Sequence, residues 1–303
     1  MVLVLASAAT IGVRAEDATG ALQPRLQLSS DAEGNDVRKL SLGWDWKRVD
    51  REHWLGAEVQ HARFSGDGWA HDEQRVYLGA AGVAGQGPVD DDAWRWQARL
   101  GSNGHTVLGS ASIHTEGPRR REVFFERELL ETRAGIERRQ MYNFLGAAID
   151  HPFSDRFSGT VLAGVQTFGD SNRRDHLRAN LVYAVAPEQG ISIQLRNRYY
   201  RNSEPYTGGY FSPPWYAETV AAVGVRRVVG GHAWRVIAGS GRQRTADEGW
   251  KRARVFELGY ESPRWRQSWL RVSAGYSDTP VATSTRSATY SYRYLMLESV
   301  VAF

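Results

Sequence analysis

The sequence lacks cysteine entirely over its 303 residues, which excludes disulfides and thiolate metal centres. Lysine is almost absent: Lys39, Lys47 and Lys251 are the only three among 38 basic residues, so the other 35 are arginine. No stretch approaches the roughly 20 consecutive apolar residues of a spanning helix, so a helical membrane protein is excluded. No block of one charge sign stands out, because 34 carboxylates are interleaved with the arginines and the net charge is only +4. A nucleic-acid partner is therefore not expected. Metal-ligand spacing such as His-Glu-x-x-His is missing, and Gly239-Ser240-Gly241 lacks the spacing of a nucleophile elbow. Neither a metal nor another cofactor is expected. The candidate catalytic groups are Ser112 with His114, the His71-Asp72-Glu73 cluster and Asp150-His151. They leave an enzyme at a strand end as a minor alternative, and no catalytic residue is assigned.

What the chain does have is 31 glycines, 11 tryptophans, 13 tyrosines and 10 phenylalanines, far too many aromatics for a disordered chain. From residue 22 onward the hydrophobic period is two, the period of strands. Leu40, Leu42, Trp44 and Trp46 alternate with Ser41, Gly43, Asp45 and Lys47. Trp94, Trp96, Ala98 and Leu100 alternate with Arg95, Gln97, Arg99 and Gly101, and Ile191, Ile193 and Leu195 with Ser192, Gln194, Arg196 and Arg198. Turn signals such as Ser65-Gly-Asp-Gly68, Gly169-Asp-Ser-Asn172 and Gly230-Gly231 separate these runs. The segment Glu122–Arg139 is expected to form two strands, because Gly135 and β-alternation oppose a helix. Residues 1–15 are apolar and small, ending Val13-Arg14-Ala15. They resemble the core and cleavage region of a secretory signal peptide, whole or truncated, and are set apart from the folded part, 16–303.

An all-β chain of this length is either a pair of sandwiches or one barrel, and no linker divides it. A transmembrane antiparallel barrel accounts for arginines inside strands, glycines inside strands, and tryptophans at strand ends (Trp44, Trp46, Trp94, Trp96, Trp215, Trp265 and Trp269). Its apolar faces meet lipid, and its closure satisfies every backbone group there. The C-terminus agrees: Leu297, Val301 and Phe303 lie on one face with Leu295 and Ser299, in the pattern of a terminal strand addressed to the barrel-assembly machinery. At about 18 residues per strand and turn the expectation is sixteen strands, within a range of twelve to eighteen, in a bacterial outer membrane.

Four turn-flanking segments resemble something more specific. Pro24-Arg-Leu-Gln-Leu-Ser-Ser-Asp31-Ala-Glu-Gly34, Arg127-Glu-Leu-Leu-Glu131-Thr132-Arg133, Phe168-Gly-Asp170-Ser-Asn172-Arg173 and Gly209-Tyr210-Phe211-Ser212-Pro213-Pro-Trp-Tyr216 are similar to the C-terminal barrel of exopolysaccharide-export outer-membrane proteins. That family holds the poly-N-acetylglucosamine export porin and the cellulose-secretion outer-membrane subunit. The resemblance runs over almost all of 22–303. It implies a sixteen-stranded barrel releasing a biofilm polysaccharide, with outer-membrane lipid around it. It also implies a periplasmic helical repeat scaffold as a separate or upstream partner. A general or substrate-specific diffusion porin is the alternative, followed by a purely structural barrel.

In such a barrel Arg95, Arg99, Arg196 and Arg198 point into the lumen, where guanidinium forks suit hydroxyl-rich or acidic chains. The competing expectation is that they pair with Asp45, Glu58, Glu126 and Glu257 and brace the wall. Tyr200, with Tyr199, Tyr206 and Tyr210, is either a sugar-stacking platform or loop packing.

Overall fold

A computed structural model describes residues 20–32, 34–84, 90–207, 209–278 and 291–303. The leader-like segment 1–15 lies outside the described residues. Sixteen antiparallel strands close into one barrel: β1 Ala21–Asp31, β2 Asp36–Arg48, β3 Trp54–Gly66, β4 Trp69–Val83, β5 Arg95–Ser102, β6 Val107–His114, β7 Arg121–Leu129 and β8 Met141–Pro152. The second half is β9 Phe157–Phe168, β10 Arg173–Ala186, β11 Ile191–Asn202, β12 Trp215–Val229, β13 His232–Thr245, β14 Lys251–Glu261, β15 Trp269–Ser277 and β16 Tyr292–Ala302. Each strand pairs with its sequence neighbours, and β1 pairs with β16. Gly20 and Phe303 exchange backbone hydrogen bonds at 3.0 and 3.2 Å, so first and last residues of the ring meet. Sixteen strands about 4.8 Å apart, tilted about 40°, give a ring about 30 Å across between backbones.

The two faces are chemically inverted relative to a soluble protein. Leu40, Leu78, Leu100 and Leu145 point outward with 60, 63, 66 and 56% of their surface exposed, in register with further apolar residues on adjacent strands. A continuous apolar outside of this extent has no place in water. Inward positions are polar or aromatic, and aromatic rings lie over lumenal glycines on the next strand. A Cβ at Gly101 would collide with the Tyr77 ring, one at Gly146 with Phe124, and one at Gly275 with Tyr294. These glycines are kept because a ring occupies the volume a side chain would need.

Trp44, Trp46, Trp96 and Trp234 face outward near the rim that carries the chain termini; the outward face of the opposite rim carries Trp215 beside Arg201, together with Arg38, Arg63, Arg242 and Arg252, with Arg242 directly opposite Arg252. Trp269 stands on the lumenal side of its strand, beneath Arg271 with the guanidinium 4.9 Å from the ring. Strand arginines therefore occupy both faces.

One expected strand is corrected. Glu122–Arg139 holds a single strand, β7, followed by a helical turn, α1 (Arg133–Glu137). Thr132 caps it, its Oγ1 accepting from Gly135 N at 2.9 Å. Gly135 permits the turn, because a Cβ there would run into the Leu130 carbonyl oxygen.

Candidate functional site

The site is the inner wall of the barrel together with the segment 130–140, which folds inward across the rim opposite the termini. Ile136 of α1 is buried in a cluster with Val37, Ala62, Phe64, Tyr77, Leu108, Leu129 and Met141. One ionic pin holds this segment against the wall, Lys39 of β2 pairing with Glu131, and just before it Arg75 of β4 reaches Glu128 of β7 at 3.0 Å. Arg75 is itself 1% exposed, also pairs with Glu73 and lies over Phe64 at 5.6 Å. A third tie joins two loops: Thr132 Oγ1 donates to the Gly209 carbonyl at 2.9 Å. Beside it Tyr210 stacks on Phe168 at 4.2 Å, accepts from Asn172 Nδ2 at 2.8 Å and donates to Asp170 at 3.2 Å. Burial pushes the Tyr210 hydroxyl up to about 12, so it stays a neutral donor.

Lower on the wall, β1 to β5 form a closed ionic lattice. Asp45, 2% exposed, accepts from Gln23 and Arg48, each at 2.6 Å. Glu58 accepts from Arg25 and Arg99, each at 2.7 Å, and Arg99 lies 4.2 Å from the Tyr77 ring. Arg95 sits at the rim of the termini, donating to Glu52 at 3.0 Å and to the carbonyls of Ala93 and Asp90. On the far side Glu257 of β14 accepts from Arg196 at 2.7 Å and from Arg235 at 3.3 Å. Glu126 accepts the Tyr142 hydroxyl at 2.8 Å. Arg95, Arg99 and Arg196 are thus side chains with carboxylate partners, and Arg198 stands apart from them: it faces Arg178 across β10 and β11. Tyr200 is 3% exposed, stacked on Tyr216 at 5.0 Å beneath Arg174, so it presents no free ring face to a sugar. Tyr199 points outward, and Tyr206 is exposed and donates to Asp247 at 2.6 Å.

Phe303 and Val301 face outward, 64 and 48% exposed, and Leu297 shares their side of β16 opposite Leu26 and Val272. Ser112 and His114 share the lumenal face of β6, but Ser112 Oγ and His114 Nδ1 are buried without hydrogen-bond partners and do not bond each other. Among the described residues no group of three or more His, Asp or Glu side chains is placed to hold a metal ion. The pattern-based reading missed Lys39, Arg75, Glu131, Arg174 and Arg178. Period-two alternation of Arg174, His176, Arg178 and Asn180 with Leu177 and Ala179 was the signal that marked the last two.

No family model and no curated protein sequence matches the chain. Among solved structures, the chain is similar to one described as a bacterial polysaccharide outer membrane secretin, with 14% identity and a TM-score of 0.69 over 95% of this chain and 99% of that one. Weaker likenesses are to OprD of Pseudomonas aeruginosa (10% identity, TM-score 0.44, 96 and 97% covered) and OccAB2 of Acinetobacter baumannii (9%, 0.46, 97 and 100%). The closed strand order, the lipid-facing outside and the likeness at 0.69 define the class of this protein, a transmembrane antiparallel β-barrel. Its place is the bacterial outer membrane.

Proposed function

We propose that the barrel is an export channel for a secreted polysaccharide, with the segment 130–140 as its constriction. The observation that carries this reading is the inner wall. A closed ring wide enough for an aqueous path is lined by guanidinium, carboxylate, amide and phenol groups, which exchange hydrogen bonds readily with a hydroxyl-rich chain. The likeness to a structure described as a polysaccharide secretin supports it. Connections at the terminal rim run from the turn 230–231 to 84–94, while the opposite rim carries 130–140 and the two longest, 203–214 and 278–291. The longer set belongs outside the cell, so the constriction guards the exit.

The test is single-channel recording of the purified protein in planar bilayers, with neutral, anionic and cationic oligosaccharides added to either side. Steady conductance interrupted by oligosaccharide-dependent blocks is expected. Conductance that no oligosaccharide interrupts supports the diffusion-channel alternative. A barrel that does not conduct at all overturns the channel reading.

A further inference from the structure

The lumenal charge is unevenly distributed. Among the described residues, the inward face of β10 to β13 carries Arg174, Arg178, Arg196, Arg198, Arg226 and Arg235 against one carboxylate, Glu218. Arg196 and Arg235 are answered by Glu257 from β14, and Arg174 by Asn202 Oδ1 and the Phe211 carbonyl. Arg178 and Arg198 share one nearby carboxylate, Glu218 on β12, for two guanidiniums. They lie directly opposite each other on adjacent strands, an arrangement that repels. Arg178 Nε is buried without a partner, and neither guanidinium has an ion pair with a described residue. Glu218, opposite Arg198 on β12, accepts from the Tyr216 hydroxyl at 2.8 Å.

Two further atoms beside this pair have no partner: Asn180 Oδ1, one lumenal position along β10 from Arg178, and His176 Nδ1, one position the other way. Buried polar atoms without partners are rare in a folded wall, and three on one strand face, at His176, Arg178 and Asn180, need a common explanation. Lumenal positions on one strand are about 7 Å apart. A sugar unit bearing an acidic group spans that distance, with its anionic oxygens on the two forks and a hydroxyl donating to Asn180.

We infer that Arg178 and Arg198, with Asn180, form a binding station for an anionic sugar unit, so that the exported polymer carries carboxylate or phosphate groups. This rests on the export reading for the word exported; the station itself is a binding site whether or not the barrel transports. The two guanidiniums supply the fork geometry that suits either oxyanion. The paired arginines on the β1 to β5 wall cannot supply it without breaking bonds to Glu58 or Glu52.

The test is calorimetric binding to the purified barrel in detergent, using a short oligogalacturonate, a neutral gluco-oligosaccharide and a glucosamine oligomer of equal length. Oligogalacturonate is expected to bind best. Its affinity should fall about tenfold or more in R178Q/R198Q and by less in R178K/R198K, which keeps charge but loses the fork. It should stay within about twofold in R242Q/R252Q, which removes the same charge from the outward face. A phosphorylated oligosaccharide in parallel distinguishes the two oxyanions. Equal losses in R178Q/R198Q and R242Q/R252Q would reduce the effect to the general field and overturn the station. So would absent oligogalacturonate binding, or tighter binding of the glucosamine oligomer. Binding that never blocks current in a bilayer supports the station and refutes the export reading, which separates the two failures. Heat-dependent gel migration of each variant verifies that it is folded.

Discussion

Glu131→Gln is the sharpest single probe of the constriction. The substitution removes the charge that Lys39 answers while keeping the size and most of the hydrogen-bonding shape of the side chain. The side chains of Lys39 and Glu131 are 14 and 18% exposed, so the ammonium left behind is largely desolvated. Breaking one partner of a fully buried pair costs about 3–5 kcal/mol, and the residual exposure here reduces that to about 2 kcal/mol. The cost falls on the inward position of segment 130–140, because moving that segment outward lets Lys39 reach water. About 2 kcal/mol is close to thirtyfold in the ratio of displaced to seated states. Single-channel recording reads this as more frequent or longer high-conductance episodes. Thr132 and Ile136 still hold the segment, so full opening is not expected. Exchanging the charges, Lys39→Glu with Glu131→Lys, should return the recordings to those of the parent. If E131Q leaves the open fraction unchanged, or if the exchange fails to restore it, the segment is not pinned by this pair and the assignment of the constriction is wrong.

Other outcomes follow from the wall and the seam. Unheated protein should migrate differently from boiled protein on a denaturing gel, because the ring leaves no strand edge for detergent to pry open; one gel position for both would contradict closure. Gly241→Val should lower the temperature of that conversion by several degrees, since a Cβ at this position meets the Thr219 carbonyl and Val220 Cα of the neighbouring strand. Removing Phe303 should reduce the amount inserted in cells more than any loop substitution does, and undiminished outer-membrane levels would show that the terminal aromatic is dispensable.

Period-two alternation made the strands legible, because the inside and outside of a barrel wall differ in chemistry at every residue. It also placed Arg196 and Arg198 on the lumenal face. It could not pair them. Arg196 meets Glu257 across two intervening strands, 61 residues later, and that meeting depends on the accumulated stagger of the ring. Alternation also misled at Arg133–Glu137, where the turn is set by its surroundings: a threonine cap, a glycine that fits under the Leu130 carbonyl, and an isoleucine that the lumen buries. Loop residues that turn inward carry no periodic signal. The inward fold of residues 130–140 was therefore invisible until the ring brought β2 and β4 within reach of residues 128–131. Arginine on strands proved ambiguous for a related reason: near the rim opposite the termini, outward positions tolerate guanidinium as well as inward ones do.

The seam between Gly20 and Phe303 makes the wall a circle in which no strand is first by any energetic measure. Joining those two residues by a short linker and opening the chain at Gly230-Gly231, where two glycines at positive φ make a tight reversal, would leave fourteen of the sixteen strand-to-strand seams untouched, tether the seam of β1 and β16 and untether that of β12 and β13. Such a permuted chain ends on β12, with Gly230 in place of Phe303. Folding in detergent reads only the circle, whereas insertion in a living cell reads the order in which the circle is spelled. The distance between those two results measures how much of the last strand is architecture and how much is address.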